Sequence, residues 1–184
     1  MNLADVLERI SKLACAGLAV SMVMLGTTTA DAAEVAIVAL GASNTAGKGV
    51  GPDQAFPAQL EAMLRAKGYD ARVTNAGVSG DTTSGMLGRL NSSVPDGTQI
   101  AIVGLNNPAN DIRAGEGSQH AANAGAIVSQ LRARHIKVIM QPRMNVPRQA
   151  DGVHFTPEGH RMVAARLLPM VVAAIGKPRA ANSH

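Results

Sequence analysis

Apolar runs alternate with stretches of helical period along this 184-residue chain. Val35 to Leu40 is continuously apolar and stops at Gly41, the pattern of a buried strand. Phe56, Leu60, Met63 and Leu64 recur at helical spacing, which predicts a helix over Phe56–Ala66 ending at Gly68. Ala71–Thr74 reads as a short second strand, and Ile100–Leu105 as a third, entered through the turn Pro95-Asp96-Gly97. Ala121–Arg134 is expected to be a helix with Ile127, Val128 and Leu131 on one face, followed by a fourth strand, Ile136–Met140. Pro157–Ile175 reads as the closing helix, with Thr156 as N-cap, Pro157 at its favoured first position, and Gly176 and Pro178 beyond its end. Strands separated by helices predict an α/β fold: one three-layer α/β/α sandwich around a short, flavodoxin-like parallel sheet. No internal repeat, low-complexity tract or interdomain linker interrupts it.

The first 32 residues have a different pattern. Leu13 to Leu25 carries no charge, and Ala30-Asp31-Ala32 supplies an A-x-A cleavage site, so residues 1–32 are expected to be an export signal and 33–184 the mature domain. That run is shorter than the roughly 20 residues needed to span a bilayer, so no stable membrane insertion is expected after cleavage. Asp5 and Glu8 beside Arg9 and Lys12 make the preceding segment less basic than usual. Cleavage would move the net charge from +4 to +5 and remove the only cysteine, Cys15, leaving a chain suited to a periplasmic or secreted location. It would also exclude a cysteine nucleophile and a thiolate metal site.

Composition narrows the class further. A 46% hydrophobic content with 16% charged residues excludes a disordered chain. The basic residues are scattered, and two Phe, one Tyr and no Trp offer little for base stacking, so no nucleic-acid partner is expected.

The polar clusters fall where strands end. Gly41-Ala42-Ser43-Asn44 follows the first expected strand, Asn75 to Asp81 the second and Asn106 to Asp111 the third; Asp151-Gly152-Val153-His154 lies ahead of the closing helix. In a parallel sheet these ends share one rim, where ligands bind. A serine hydroxyl there needs a base to remove its proton as it attacks. His154 is the natural base, and Asp151, three residues earlier, can accept from its other ring nitrogen and fix the tautomer. The backbone N–H groups of Ser43 and Gly80 and the side-chain amide of Asn110 are candidate oxyanion donors. Asn107 is a rival to Asn110 in the same segment.

These four blocks, in order over Val35 to Leu168, resemble the SGNH hydrolases (the GDSL lipases and esterases), particularly the short bacterial thioesterase, lysophospholipase and arylesterase group. Ser43 stands in the Gly-Asp-Ser-Leu position as Gly-Ala-Ser-Asn; Gly80 closes the second block; Asn110-Asp111 matches the Gly-x-Asn-Asp block; and Asp151 to His154 is the Asp-x-x-His. The resemblance implies hydrolysis of small acyl esters, thioesters or lysophospholipids through an acyl-serine intermediate, with no cofactor or metal. Ala42, Asn44 and Ala109 depart from the family's aspartate, leucine and glycine. Only Gln141–Ala150 stands where the family has a further helix and a fifth strand, so four strands and an open side to the acyl pocket are expected.

A carbohydrate O-acetylesterase is the main alternative within the family. A glycan- or lipid-binding module on the same fold would not need all of Ser43, His154 and Asp151. Gly41 to Lys48 resembles a phosphate-binding loop, but five residues rather than four separate its glycines and Gly49 follows the lysine. Ser79 and Asp81 read as turn and cap residues, Arg113 as exposed or salt-bridged, and Met140, Met144, Met162 and Met170 as core filling. His160 is expected at the surface of the closing helix. His120, His135 and His184 show no metal-site spacing. Oligomeric state carries no signal in the sequence.

Overall fold

The computed structural model describes residues 34–176; the expected export signal and Cys15 lie outside them. In chain order the elements are β1 (Val35–Gly41), α1 (Ser43–Ala46), α2 (Phe56–Ala66), β2 (Ala71–Gly77), α3 (Thr83–Gly88), α4 (Leu90–Ser93), β3 (Ile100–Val103), α5 (Ala109–Arg113), α6 (His120–Ala133), β4 (Lys137–Met140) and α7 (Pro157–Ile175). Single 3₁₀ turns at Pro52–Gln54 and Gly117–Gln119 precede α2 and α6.

The four strands form one parallel sheet in the order β2-β1-β3-β4. Alternation along β1 divides the core in two. Ile37 and Ala39 face α2 and α7, packing with Phe56, Leu60, Leu64, Val163 and Leu167. Val38 and Leu40 face α3, α4 and α6, packing with Met86, Leu90, Ile127 and Leu131. Both faces of the sheet are covered, which explains why β1 and β3 read as unbroken apolar runs. The expected layers and strand number hold.

Several local expectations are corrected. β2 continues through Asn75-Ala76-Gly77, so the polar loop beyond it begins only at Val78. Pairing with all seven residues of β1, up to Gly41 with Gly77, carries these weak strand formers into the sheet. A Cβ on Gly77 would lie 2.1 Å from the Ala46 backbone nitrogen, so only glycine lets α1 rest on the end of β2. β3 ends at Val103 rather than Leu105. Helices α1, α3, α4 and α5 fall where the apolar pattern predicts none.

His160 is not a surface residue. It is fully buried, with its ring 6.4 Å from that of Phe56 and edge-on to Phe155 at 5.4 Å. Its Nδ1 accepts the backbone N–H of Phe56 at 3.2 Å, while Nε2 is buried without a partner. Burial holds its pKa down at about 4, so the ring is neutral in the fold near pH 7.

Candidate active site

Because the strands run parallel, their C-terminal ends, at Gly41, Gly77, Val103 and Met140, share one rim. A single open cleft of about 1070 Å³ lies there, and Ser43, Gly80, Asn110, Asp151 and His154 all line it. The four separated blocks therefore converge as expected.

Each arrives by a different local device. Ser43 is the first residue of α1, directly after β1, so its backbone N–H is among those a helix leaves without an internal partner. Gly80 has φ of +83°, a left-handed turn conformation for which glycine is suited. Asn110 lies on α5, where its Nδ2 donates to the Asp81 carbonyl at 2.8 Å and its Oδ1 accepts from Arg113. One of the two amide hydrogens of Asn110 is thereby used and the other is left for a ligand. Asn107 also lines the cleft, but it is exposed and its Oδ1 accepts the Ala109 N–H at 3.0 Å, as in a local turn.

The Asp151–His154 turn is the most closely defined part. Asp151 Oδ2 lies 2.5 Å from His154 Nδ1, and Oδ1 accepts the N–H groups of Val153 and His154 at 2.8 and 2.9 Å. The bond from the imidazole, then those from the two backbone amides, hold the Asp151 carboxyl well below the usual carboxylate range. An ionised Asp151 orients the ring with Nδ1 protonated and Nε2 free to accept.

Two supporting networks were not visible in the sequence. Asp81 pairs with Arg89, whose Nε and Nη2 both lie 2.8 Å from Oδ2, and Nη2 also donates to the Gly41 carbonyl at 3.2 Å. Arg89 thus ties the end of β1 to the loop that carries Gly80, and the Asp81 carbonyl in turn holds Asn110. Beneath them, Asp111 is buried: Oδ1 accepts the Thr83 N–H at 3.0 Å and the Thr83 hydroxyl, and Oδ2 lies 3.2 Å from His120 Nδ1. Burial pushes the Asp111 pKa up, but the Thr83 and His120 contacts outweigh it and the net direction is down. Among the described residues, no group of three or more His, Cys, Asp or Glu side chains could hold a metal ion, and no helix is long and apolar enough to cross a membrane.

The chain is similar to characterised proteins over this same region. The family model of GDSL-like lipases and acylhydrolases matches residues 39–151, from β1 to the first residue of the Asp151–His154 turn. Esterase TesA of Pseudomonas aeruginosa is 33% identical over 113 residues, 61% of this chain and 56% of the relative, so the match spans little more than half of that protein. Among solved structures, a crystal structure of TesA superposes with a TM-score of 0.66 at 22% identity, over 76% of this chain and 99% of the other, a likeness of fold. AlinE4, an SGNH-hydrolase family esterase, is 27% identical with a TM-score of 0.53 over 82% of this chain and 86% of its own. With the family model covering more than half of its length, the chain belongs to the GDSL-like lipase/acylhydrolase family.

Proposed function

We propose that the protein is a serine esterase that cleaves small carboxylic esters through an acyl-serine intermediate. The observation that carries this reading is the Asp151–His154 pair, held by three hydrogen bonds on the wall of the cleft that Ser43 also lines. Membership of an acylhydrolase family supports it.

In this reading Ser43 Oγ attacks the ester carbonyl carbon as His154 Nε2 takes its proton, and Asp151 stabilises the imidazolium without accepting a proton itself. The carbonyl oxygen, now an anion, is met by the N–H groups of Ser43 and Gly80 and the second amide hydrogen of Asn110. A donor of this kind typically contributes about 10²–10³ in rate. Collapse of the tetrahedral intermediate breaks the C–O bond, and His154 returns its proton to the departing alcohol. Water, activated by His154, then hydrolyses the acyl-serine. No step calls for a cofactor. Thioesters and lysophospholipids follow the same route with a different leaving group, and belong to the proposal through the family resemblance. An export signal over residues 1–32, as the sequence pattern suggests, would put the reaction in the periplasm or outside the cell.

Hydrolysis of p-nitrophenyl butyrate by the wild type and by Ser43→Ala tests the assignment. Turnover by the wild type and a loss of several orders of magnitude in the variant, about 10⁶ by analogy with other serine nucleophiles, is the expected result. An inert, folded wild type that also fails to react with a fluorophosphonate would leave a binding module as the better reading.

A further inference from the structure

The loop that carries His154 is not part of the sheet, yet every backbone polar group from Val153 to Phe155 has a partner. The Val153 and His154 N–H groups go to Asp151. The His154 carbonyl accepts from the Gln149 backbone at 2.7 Å, and the Phe155 carbonyl from Gln149 Nε2 at 2.8 Å. The remaining two groups, the Val153 carbonyl and the Phe155 N–H, meet the side chain of Asn44: Nδ2 donates to the former at 3.3 Å and Oδ1 accepts from the latter at 2.9 Å. Asn44 thus grips the backbone on both sides of His154, and it is the residue next to Ser43 on the first turn of α1. Gln149 makes a second link to the same region, since Nε2 also donates to the Lys48 carbonyl at 2.8 Å.

We propose that Asn44 is a positioning residue that sets the distance and angle between Ser43 and His154, anchoring a loop that no strand of the sheet holds. The inference rests on the serine-esterase reading. A carboxamide suits the place because one planar group must donate to a carbonyl and accept from an amide 2 residues further on. Leucine or alanine would leave the Phe155 N–H unmatched and the Val153 carbonyl held by Arg148 alone, so the imidazole would be less firmly placed, and a misplacement of about 1 Å can cost on the order of 10² in rate.

The experiment compares Asn44→Ala and Asn44→Asp with the wild type on p-nitrophenyl butyrate, alongside the thermal midpoint of each. Asn44→Ala is expected to lower kcat by about 10–100-fold with KM changed less than about threefold, and to slow fluorophosphonate labelling to the same degree. Asn44→Asp keeps the acceptor for Phe155, loses the donor to Val153 and places a carboxylate beside the loop. Its rate should lie between the other two, and the acid limb of its kcat/KM profile should move to higher pH. An unchanged kcat and labelling rate in Asn44→Ala overturns the inference while leaving the esterase reading intact. So does a loss in both variants that merely follows a fall in thermal midpoint, with no shift of the acid limb. Undiminished activity in Ser43→Ala would instead remove the acyl-serine reading and this inference with it.

The cleft is rich in guanidinium groups. Three exposed arginines stand at its mouth, each bonded to a neutral acceptor on its lining: Arg113 to the Asn110 side chain, Arg143 to the Asn106 carbonyl, and Arg148 to the Val153 carbonyl at 2.6 Å. None forms an ion pair among the described residues, whereas the three carboxylates lining the cleft are engaged with Arg89, with Thr83 and His120, and with His154. We infer that the preferred ester carries a negative charge, which a guanidinium fork recognises well. Mono-p-nitrophenyl adipate and p-nitrophenyl hexanoate share a leaving group and chain length and differ in one carboxylate. A kcat/KM ratio favouring the adipate by about tenfold at low salt, falling toward one in 0.5 M salt and in the combined Arg113→Gln, Arg143→Gln, Arg148→Gln variant, is expected. A ratio at or below one in the wild type overturns this inference alone, because hydrolysis of the hexanoate still reports an esterase.

Discussion

Asp151 acts on His154 from within one turn, and that closeness makes its contribution separable. Asp151→Asn keeps the shape but can present an amide hydrogen to Nδ1, favouring the tautomer in which Nε2 carries the proton and, in the proposed mechanism, cannot accept from Ser43. A fall in kcat of about 10⁴ is expected, with the fold intact by circular dichroism. His160 makes the opposite case, a histidine whose importance lies in stability. Its folded pKa of about 4 is below the ordinary value of 6.5, so the unfolded chain binds the extra proton first as pH falls. The stability tied to a neutral His160 is therefore complete above about pH 6.5 and is lost as pH drops toward 4, by up to about 3 kcal/mol. Urea unfolding between pH 7 and 4 should show this slope, and His160→Gln should flatten it. The burial of His160 could have been read from the chain, since residues 160, 163, 164, 167 and 171 share one helical face and are all buried. Asn44, Gln149 and Arg89 could not: each makes at least one bond to a residue roughly 50 to 110 positions away.

Helices α2 and α7 were readable to the residue and α6 to within one residue at each end; in α7 the Thr156 hydroxyl accepts the Gly159 N–H at 3.1 Å, as expected of an N-cap. The short pair α3 and α4 was not. Met86, Leu87 and Leu90 have helical spacing, and Thr82 accepts the Gly85 N–H at 3.1 Å, but Gly85 and Gly88 weaken the local preference and packing supplies the rest. The extension of β2 was hidden for a similar reason, its last three residues being held by β1 rather than by propensity. Gly77 is the point where this matters most. Gly77→Ala should destabilise the protein by about 1–3 kcal/mol in urea titration, and because the added carbon meets α1 itself, it should lower kcat even at temperatures where the variant is folded.

At the scale of the molecule, the sandwich, its four-strand sheet and the convergence of the polar blocks all followed from one regularity, strands alternating with helices and polar residues clustered where strands end. Sheet order and the side-chain ties across the cleft lie beyond that regularity, since they depend on long-range pairing. The sheet order has a consequence at the opposite end of the scale from chemistry: β4 is an edge of the sheet, with backbone groups on its outer side available to another chain. Two features discourage such pairing. The strand is only four residues long, and Lys137, exposed on it, reaches the Ala174 carbonyl at the end of α7. Lys137→Val would remove the charge and lengthen the apolar run, and faster growth of light scattering on mild heating is the expected result. The border of the sheet next to the segment that carries His154 is thus kept from other chains largely by one lysine, so the solubility of the fold depends on a residue outside the cleft.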